Sequence, residues 1–269
     1  MRADYWKVPD WETMQPEVKL AEDAVADGFL NGRLSVLQPV RDVRAGIDPI
    51  FLAASIEAKS GERVLDVGAG VGVASLCLGR RLDICVWGLE IHPWLADLFS
   101  RNIENNDFGG RIHAVEGDLF APIKHLGTLG LEQNGFDHIF TNPPFYTGLD
   151  ATPPNEGLRA LAHINDAGLD RWLGRCCGFL RSGGSLSVIY PASALGELLP
   201  AASKRLGGIC LYFLWSGKSQ PASRVLLRGT LGSKAPLRVL PGMTLHQPDG
   251  SYSSAAQAIL RDGTGIVMN

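Results

Sequence analysis

The stretch Val64-Leu65-Asp66-Val67-Gly68-Ala69-Gly70-Val71-Gly72 decides the fold. Val64–Val67 is a short apolar run and reads as a buried strand, and Val73–Arg81 after the glycines reads as a helix. Glycines at such a junction let the backbone turn sharply and pass close to a ligand that faces the helix N-terminus. The spacing is G-x-G-x-G, one residue shorter than the G-x-G-x-x-G of dinucleotide-binding turns. An acid, Asp66, stands two positions before the first glycine. A carboxylate there repels a pyrophosphate and suits a cationic ligand.

The pattern around this turn is regular. Upstream, Leu34–Gln38 reads as a short strand and Pro49–Lys59 as a helix. Downstream, Ile84–Leu89, Arg111–Val115, Phe136–Thr141 and Ser185–Tyr190 read as strands, with a helix over Pro93–Asn106 and another over Leu161–Leu180. In the first of these helices Leu95, Leu98, Phe99 and Ile103 share one face, and in the second Ile164, Leu169, Trp172, Leu173 and Cys176 do. Leu119–Gly135 reads as a loop-rich connection, and Ser182-Gly183-Gly184 as the stop of the second helix. A helix over Ala194–Arg205 precedes Ile209–Trp215 and Arg224–Leu231, which no helix separates, so these two strands are antiparallel. The fold class expected is α/β and Rossmann-like, a mostly parallel seven-stranded sheet with helices on both faces and an antiparallel final hairpin. Residues 1–60 are read as an extension packing over the ligand site, 61–232 as the core, and 233–269 as a tail of the same domain with a short helix at Ala255–Leu260.

The chain has 269 residues, 45% hydrophobic and 20% charged, which is ordinary for a soluble globular protein. Its net charge of −3 argues against non-specific coating of nucleic acid and leaves room for a local basic patch. Five cysteines include no Cys-x-x-Cys pair, which favours free buried thiols over zinc or disulfides. The first ten residues are mixed and charged, unlike a signal peptide, and no apolar run reaches membrane-spanning length. A cytoplasmic protein without a membrane partner is the expectation.

Two further acids follow strands. Glu90 ends the run after Ile84 and can accept hydrogen bonds from both hydroxyls of a ribose. Asp118 follows the strand at Arg111–Val115 and can accept from an adenine amino group, or simply cap a turn. Three acids at the carboxyl ends of consecutive strands lie where open parallel sheets bind ligands. Together they fit S-adenosylmethionine, which carries an ammonium and a sulfonium and no pyrophosphate. Asp66, Gly68, Gly70, Gly72, Glu90, Ile91, Asp118 and Leu119 form the expected cofactor set, with residues 63–145 resembling the core of class I S-adenosylmethionine methyltransferases.

The run Thr141-Asn142-Pro143-Pro144-Phe145 closes the strand at Phe136. An exocyclic amine on a base is a poor nucleophile because its lone pair is conjugated into the ring. Acceptors on its N–H groups draw the nitrogen toward tetrahedral geometry. The Asn142 side-chain oxygen and the Pro143 carbonyl can be those acceptors, the two prolines stiffen the loop, and Phe145 offers a face for stacking. The loop resembles that of methyltransferases acting on adenine N6, guanine N2 or glutamine N5. It makes Asn142, Pro143, Pro144 and Phe145 the catalytic candidates, with Asn142 also at the cofactor and no metal required.

Over about residues 25–262 the chain resembles the bacterial tRNA1(Val) adenine-N6 methyltransferase family. The resemblance rests on the Asn-Pro-Pro-Phe loop, on Leu37-Gln38-Pro39-Val40-Arg41-Asp42-Val43-Arg44-Ala45-Gly46-Ile47-Asp48, on Gly217–Arg224, and on Asp249-Gly250-Ser251-Tyr252-Ser253. It implies an RNA substrate, with tRNA first. It also implies that Gln38, Arg44 and Asp48 close over the cofactor, although Arg44 and Asp48 equally fit an exposed pair at a helix start. The family often has tyrosine where this chain has Phe145, and rRNA guanine-N2 enzymes often have phenylalanine there, so guanine N2 and protein glutamine N5 stay open. Lys204, Arg205, Lys218, Arg224 and Arg228 are candidates for a basic rim against RNA phosphates, or for a solvated face. His92, His113 and His138 lack metal-ligand spacing and read as structural.

Overall fold

The computed structural model describes residues 24–40, 44–145 and 168–268. Strand β3 (Arg63–Val67) is the central element, and its Val64, Leu65 and Val67 are buried, as expected of a strand covered on both faces. It pairs in parallel with β4 (Cys85–Glu90) on one side and β6 (Phe136–Thr141) on the other. Beyond β4 lies β5 (Ile112–Glu116), and beyond β6 lies β7 (Leu180–Pro191), both parallel to their neighbours. Strands β8 (Leu206–Trp215) and β9 (Ala222–Leu231) form the antiparallel hairpin, with β9 inserted between β7 and β8. The expected α/β arrangement is present, with one addition. The tail supplies an eighth strand, β10 (Arg238–Thr244), parallel to β8, so the order is β10-β8-β9-β7-β6-β3-β4-β5. Pro241 lies within β10, at a shift in register, and on an edge strand a proline costs no ladder bond.

The layers over the sheet are short helices. On one face lie α1 (Asp48–Ala54), α2 (Val73–Arg81), α3 (Pro93–Asn105) and, from the tail, α7 (Ser254–Asp262). On the other lie α4 (Ile123–Thr128), α5 (Gly168–Phe179) and α6 (Leu195–Ser203). Helix α1 ends at Ala54, five residues before the expected Lys59, and α4 interrupts the span expected to be loop. The first part of the helix expected over Leu161–Leu180, including Ile164, lies outside the described residues. Gly183 and Gly184 do not end α5, which stops at Phe179. They sit in an irregularity of β7, where Gly183 has φ +75° and a Cβ on Gly184 would stand 2.8 Å from the Asp137 carbonyl oxygen. Close approach of two backbones, not helix capping, is what these glycines serve.

Residues 24–39 form a ribbon of β1 (Ala24–Phe29) and β2 (Leu34–Pro39), paired only with each other. Helix α3 fastens it. Phe99, fully buried, fits between two glycines: a Cβ on Gly72 would lie 2.0 Å from its ring, and one on Gly88 2.2 Å. This brings α3 against the glycine turn and turns two amides toward β2. Asn102 Oδ1 accepts from the Leu37 N–H (2.7 Å) and its Nδ2 donates to the Leu37 carbonyl (3.0 Å). Asn106 does the same with Ser35 (2.9 and 2.8 Å). Four residues of helix rise about 6 Å and two residues of strand about 6.6 Å, so the two amides meet alternate strand residues in register. Asn102 Nδ2 also donates to the Val71 carbonyl (3.0 Å), which joins the ribbon to the glycine turn.

Asn102→Ala would leave three buried or part-buried backbone groups unpaired, each worth about 1–3 kcal/mol. Thermal unfolding should show a loss of roughly 3–5 kcal/mol, and the Leu37 amide should lose protection from hydrogen exchange. Asn106→Ala, at the exposed end of the ladder, should cost about 1 kcal/mol. Equal and small effects of both would show that the amides do not hold the ribbon.

Candidate active site

The carboxyl ends of β3, β4, β5 and β6 enclose a cavity of about 500 Å³, within the roughly 300–1,000 Å³ of small-molecule sites. The glycine turn forms its floor. Gly68, Gly70 and Gly72 all have positive φ (+76°, +56°, +85°), which side chains rarely adopt, and nothing stands within 4 Å of where a Cβ on Gly70 would be. Gly68 and Gly70 line the cavity, whereas Gly72, expected in the same set, does not: its missing side chain makes room for the Phe99 ring.

Two of the expected acids are part of this wall. Asp66 is 3% exposed and accepts from the Ser75 hydroxyl of α2 at 2.7 Å. Burial pushes its carboxyl up to about 7, with the nearby Glu90 charge adding to the effect and the Ser75 hydrogen bond opposing it. Glu90 is 5% exposed and lies at the end of β4. Its Oε2 accepts from the Gly70 N–H (2.8 Å) and its Oε1 from the His92 N–H (2.9 Å). Each carboxylate oxygen keeps a further lone pair for a ligand hydroxyl. Asp118 lines the cavity too, with Oδ1 on the Phe120 N–H at 2.8 Å, so the turn-capping and the ligand-binding readings are both compatible with its position. Ile91 is 42% exposed yet lines the cavity, as do Leu119 and Phe120. This apolar stretch beside Asp118 suits the face of an adenine.

The segment before α1 and the start of that helix also line the cavity, through Arg44, Gly46 and Asp48. Gln38 is buried and does not line the cavity. Its Oε1 accepts from the Ala45 N–H at 2.7 Å, and its Nε2 donates to the Asp27 carboxylate, so it acts by holding the lining segment. Arg44 also pairs with Asp27, and Asp48 pairs with Arg224 of β9 at 2.7 Å. Arg44 and Asp48 therefore do not form a helix-start pair with each other.

At the end of β6, Asn142 is exposed at the cavity and Pro144 lines it, while Pro143 is buried. Phe145 packs edge-on against Tyr190 of β7, with ring centroids 5.2 Å apart at 77°. Thr141, just before the loop, is fully buried and bonds both β3 and Trp172 of α5. Ser75, Thr141, Trp172 and Tyr190 were not singled out by sequence. Trp172 offered a signal, since a tryptophan on a core-facing stripe needs a partner for its N–H.

The five cations are not gathered into one rim. Helix α6 runs back from the site edge, and at its end Lys204 and Arg205 both bridge Asp170 (3.0 and 2.7 Å). Arg228 bridges Glu57 at 2.8 Å, and Arg224 is held by Asp48. Lys218 is exposed in the turn between β8 and β9. Their charges are largely compensated within the protein. His138 bonds Ser185 and Glu62 (2.7 and 2.9 Å), and His113 packs on Trp87. Among the described residues no cluster of His, Cys, Asp or Glu could hold a metal ion, and no helix is long and apolar enough to cross a membrane.

Comparison with known proteins agrees with this geometry. Residues 46–167 match the family model of the methyltransferase small domain. A tRNA1(Val) (adenine(37)-N6)-methyltransferase of Shewanella loihica is 32% identical over 155 residues, 57% of this chain and 62% of that protein, so the matched stretch spans less than two thirds of that relative. The enzyme of the same name from Erwinia tasmaniensis is 28% identical over 82% of this chain and 87% of its own. In structure, a predicted O-methyltransferase from Agrobacterium tumefaciens superposes with a TM-score of 0.67 at 24% identity, over 82% of this chain and 98% of that one. TYW2 of M. jannaschii in complex with AdoMet does so with a TM-score of 0.54 at 13% identity, over 78% and 86%. At these identities the two structures establish the fold. The stretch that matches the methyltransferase small domain takes in both the glycine turn and the Asn-Pro-Pro-Phe loop, and the sheet that carries them has the fold of these methyltransferase structures.

Proposed function

We propose that the chain methylates the N6 amino group of an adenine in tRNA. The observation that carries the reading is the position of the Asn-Pro-Pro-Phe loop, at the end of β6 and on the wall of the acid-lined cavity. The relatives from Shewanella loihica and Erwinia tasmaniensis support adenine and tRNA by their names.

The cavity residues fit S-adenosylmethionine: Asp66 for a cationic group, Glu90 for ribose hydroxyls, Asp118 with Ile91 and Leu119 for adenine, and a glycine floor with room above Gly70. When bound, that cofactor supplies a methyl group on a cationic sulfur. The protein's part is to prepare the nucleophile. Asn142 Oδ1 and the Pro143 carbonyl accept from the two N–H bonds of the target amine, which localises its lone pair. The proline pair holds these acceptors in place before the base arrives. Phe145, braced by Tyr190, stacks on the base. Held between these acceptors, the amine nitrogen would take up the methyl group that the cofactor supplies and then give its proton to solvent. Gln38, Arg44 and Asp48 fix the lining segment at the start of α1.

Labelled methyl transfer to unmodified total tRNA, followed by nucleoside analysis, tests the assignment, with N6-methyladenosine as the expected product. Label in N2-methylguanosine, or none in tRNA, would overturn it. Asn142→Ala should lower turnover by about 10²-fold or more and leave the affinity for S-adenosylhomocysteine nearly unchanged.

Asp66 adds a pH dependence. Its folded-state value of about 7 lies above the ordinary 3.8, so the fold binds a proton there that the unfolded chain does not. Its contribution to the stability of the ligand-free protein is fully present below the ordinary value and is lost as pH rises through about 7. A cationic ligand favours the ionised carboxylate, so binding should release a proton. Affinity for S-adenosylhomocysteine should rise roughly tenfold between about pH 6 and 8 and level off above. Calorimetry in buffers of different ionisation heat would detect the proton. A flat profile in the parent, or an equally steep one in Asp66→Asn, would remove Asp66 from the cation site.

A further inference from the structure

Thr141 is the last residue of β6 and directly precedes Asn142. Its side chain has no exposure, and both capacities of its hydroxyl are used. Oγ1 donates to the Val67 carbonyl at 2.8 Å and accepts from Trp172 Nε1 at 3.1 Å. Val67 ends β3 and precedes Gly68, the first glycine of the turn. The Trp172 ring stands 3.6 Å from where a Cβ on Gly68 would lie, and it forms part of the cavity wall. Its other contact is edge-on to Phe120, another wall residue, with centroids 6.2 Å apart at 69°. One hydroxyl thus ties the catalytic strand end, the glycine turn and the aromatic wall together. Valine would fill the same space and suit the strand as well, so packing alone does not require threonine.

We propose that Thr141 and Trp172 are positioning residues that set Asn142 relative to the cofactor turn, so that filling the cavity also orders the Asn-Pro-Pro-Phe loop. The proposal rests on the methyl-transfer reading above. It assigns Thr141 no contact with the reacting atoms. Its effect passes through Asn142, where a displacement of about 1 Å can cost about 10²-fold in rate.

Three variants test it. Thr141→Val keeps the shape and removes both hydrogen bonds, Thr141→Ser keeps the hydroxyl, and Trp172→Phe keeps a ring and removes the N–H. With the RNA that accepts methyl groups, Thr141→Val should lower kcat by roughly 10- to 100-fold, with KM for RNA and affinity for S-adenosylhomocysteine within about threefold of the parent. Thr141→Ser should recover most of kcat. Trp172→Phe should lower kcat as well, and the double variant should be no slower than Thr141→Val, because the two side chains act through one bond. A second readout needs no turnover. S-adenosylhomocysteine should slow hydrogen exchange at the Asn142 and Phe145 amides in the parent and not in Thr141→Val. Parental kcat in Thr141→Val, or a fall in kcat matched by an equal loss of S-adenosylhomocysteine affinity, would overturn the proposal. If Thr141→Val does not fold, Trp172→Phe decides by the same criteria. Asn142→Ala on the same RNA separates the two levels. Full turnover in that variant sinks the role given to Asn142 in the proposed function, whereas its loss beside a parental Thr141→Val sinks only the positioning role.

Discussion

The site depends on one steric fit, the Phe99 ring held between Gly72 and Gly88. Any side chain at either glycine would occupy the ring's volume. The fit sets how closely α3 approaches the sheet, and the remaining geometry follows from that distance. Only at this approach does Asn102 reach both the Val71 carbonyl and the backbone of β2. The ribbon held there carries Gln38, Gln38 carries the Ala45 amide, and the segment that follows lines the cavity. A packing contact of the core is thereby transmitted through amide hydrogen bonds to the shape of a binding wall some residues away.

The chemistry is divided between the two sides of the cavity. On the β4 side the Glu90 carboxylate is taken out of water and fixed by two backbone N–H groups, so its acceptor oxygens do not have to be reorganised when a ligand arrives. On the β6 side the acceptors in the proposed reaction belong to an asparagine and a proline carbonyl, neutral groups suited to an uncharged amine. A carboxylate in the Asn142 position would hold a proton or attract a cation. The neutral amide does neither, and it can serve a nitrogen whose own charge rises during transfer.

Much of this was legible in the sequence because it lies in local patterns. The strand-glycine-helix unit, the acids at strand ends and the Asn-Pro-Pro-Phe loop each occupy a few contiguous residues, and parallel-sheet topology assembles them at one edge. What was not legible depends on partners distant in the chain. Asn102 and Asn106 look like ordinary polar positions on an amphipathic helix, and nothing in their neighbours points to Leu37 and Ser35. The same holds for Thr141 and Trp172. The cations at Lys204, Arg205, Arg224 and Arg228 read as a single patch in one dimension, because the acids that compensate them, Asp170, Asp48 and Glu57, come from other helices and flanking segments. Strand β10 was not legible either: Pro241 interrupts its pattern, and an edge position tolerates it.

The amide ladder of α3 has a consequence for how the protein meets others of its kind. A strand edge with unpaired N–H and C=O groups is a template for adding a strand from another chain, and proteins commonly block such edges with charge, proline or a bulge. Here the outward N–H and C=O groups of Ser35 and Leu37 are occupied by side chains of the same molecule. The helix completes that side of the ribbon without lending it a third strand, so the edge that shapes the cavity wall is closed to edge-to-edge association.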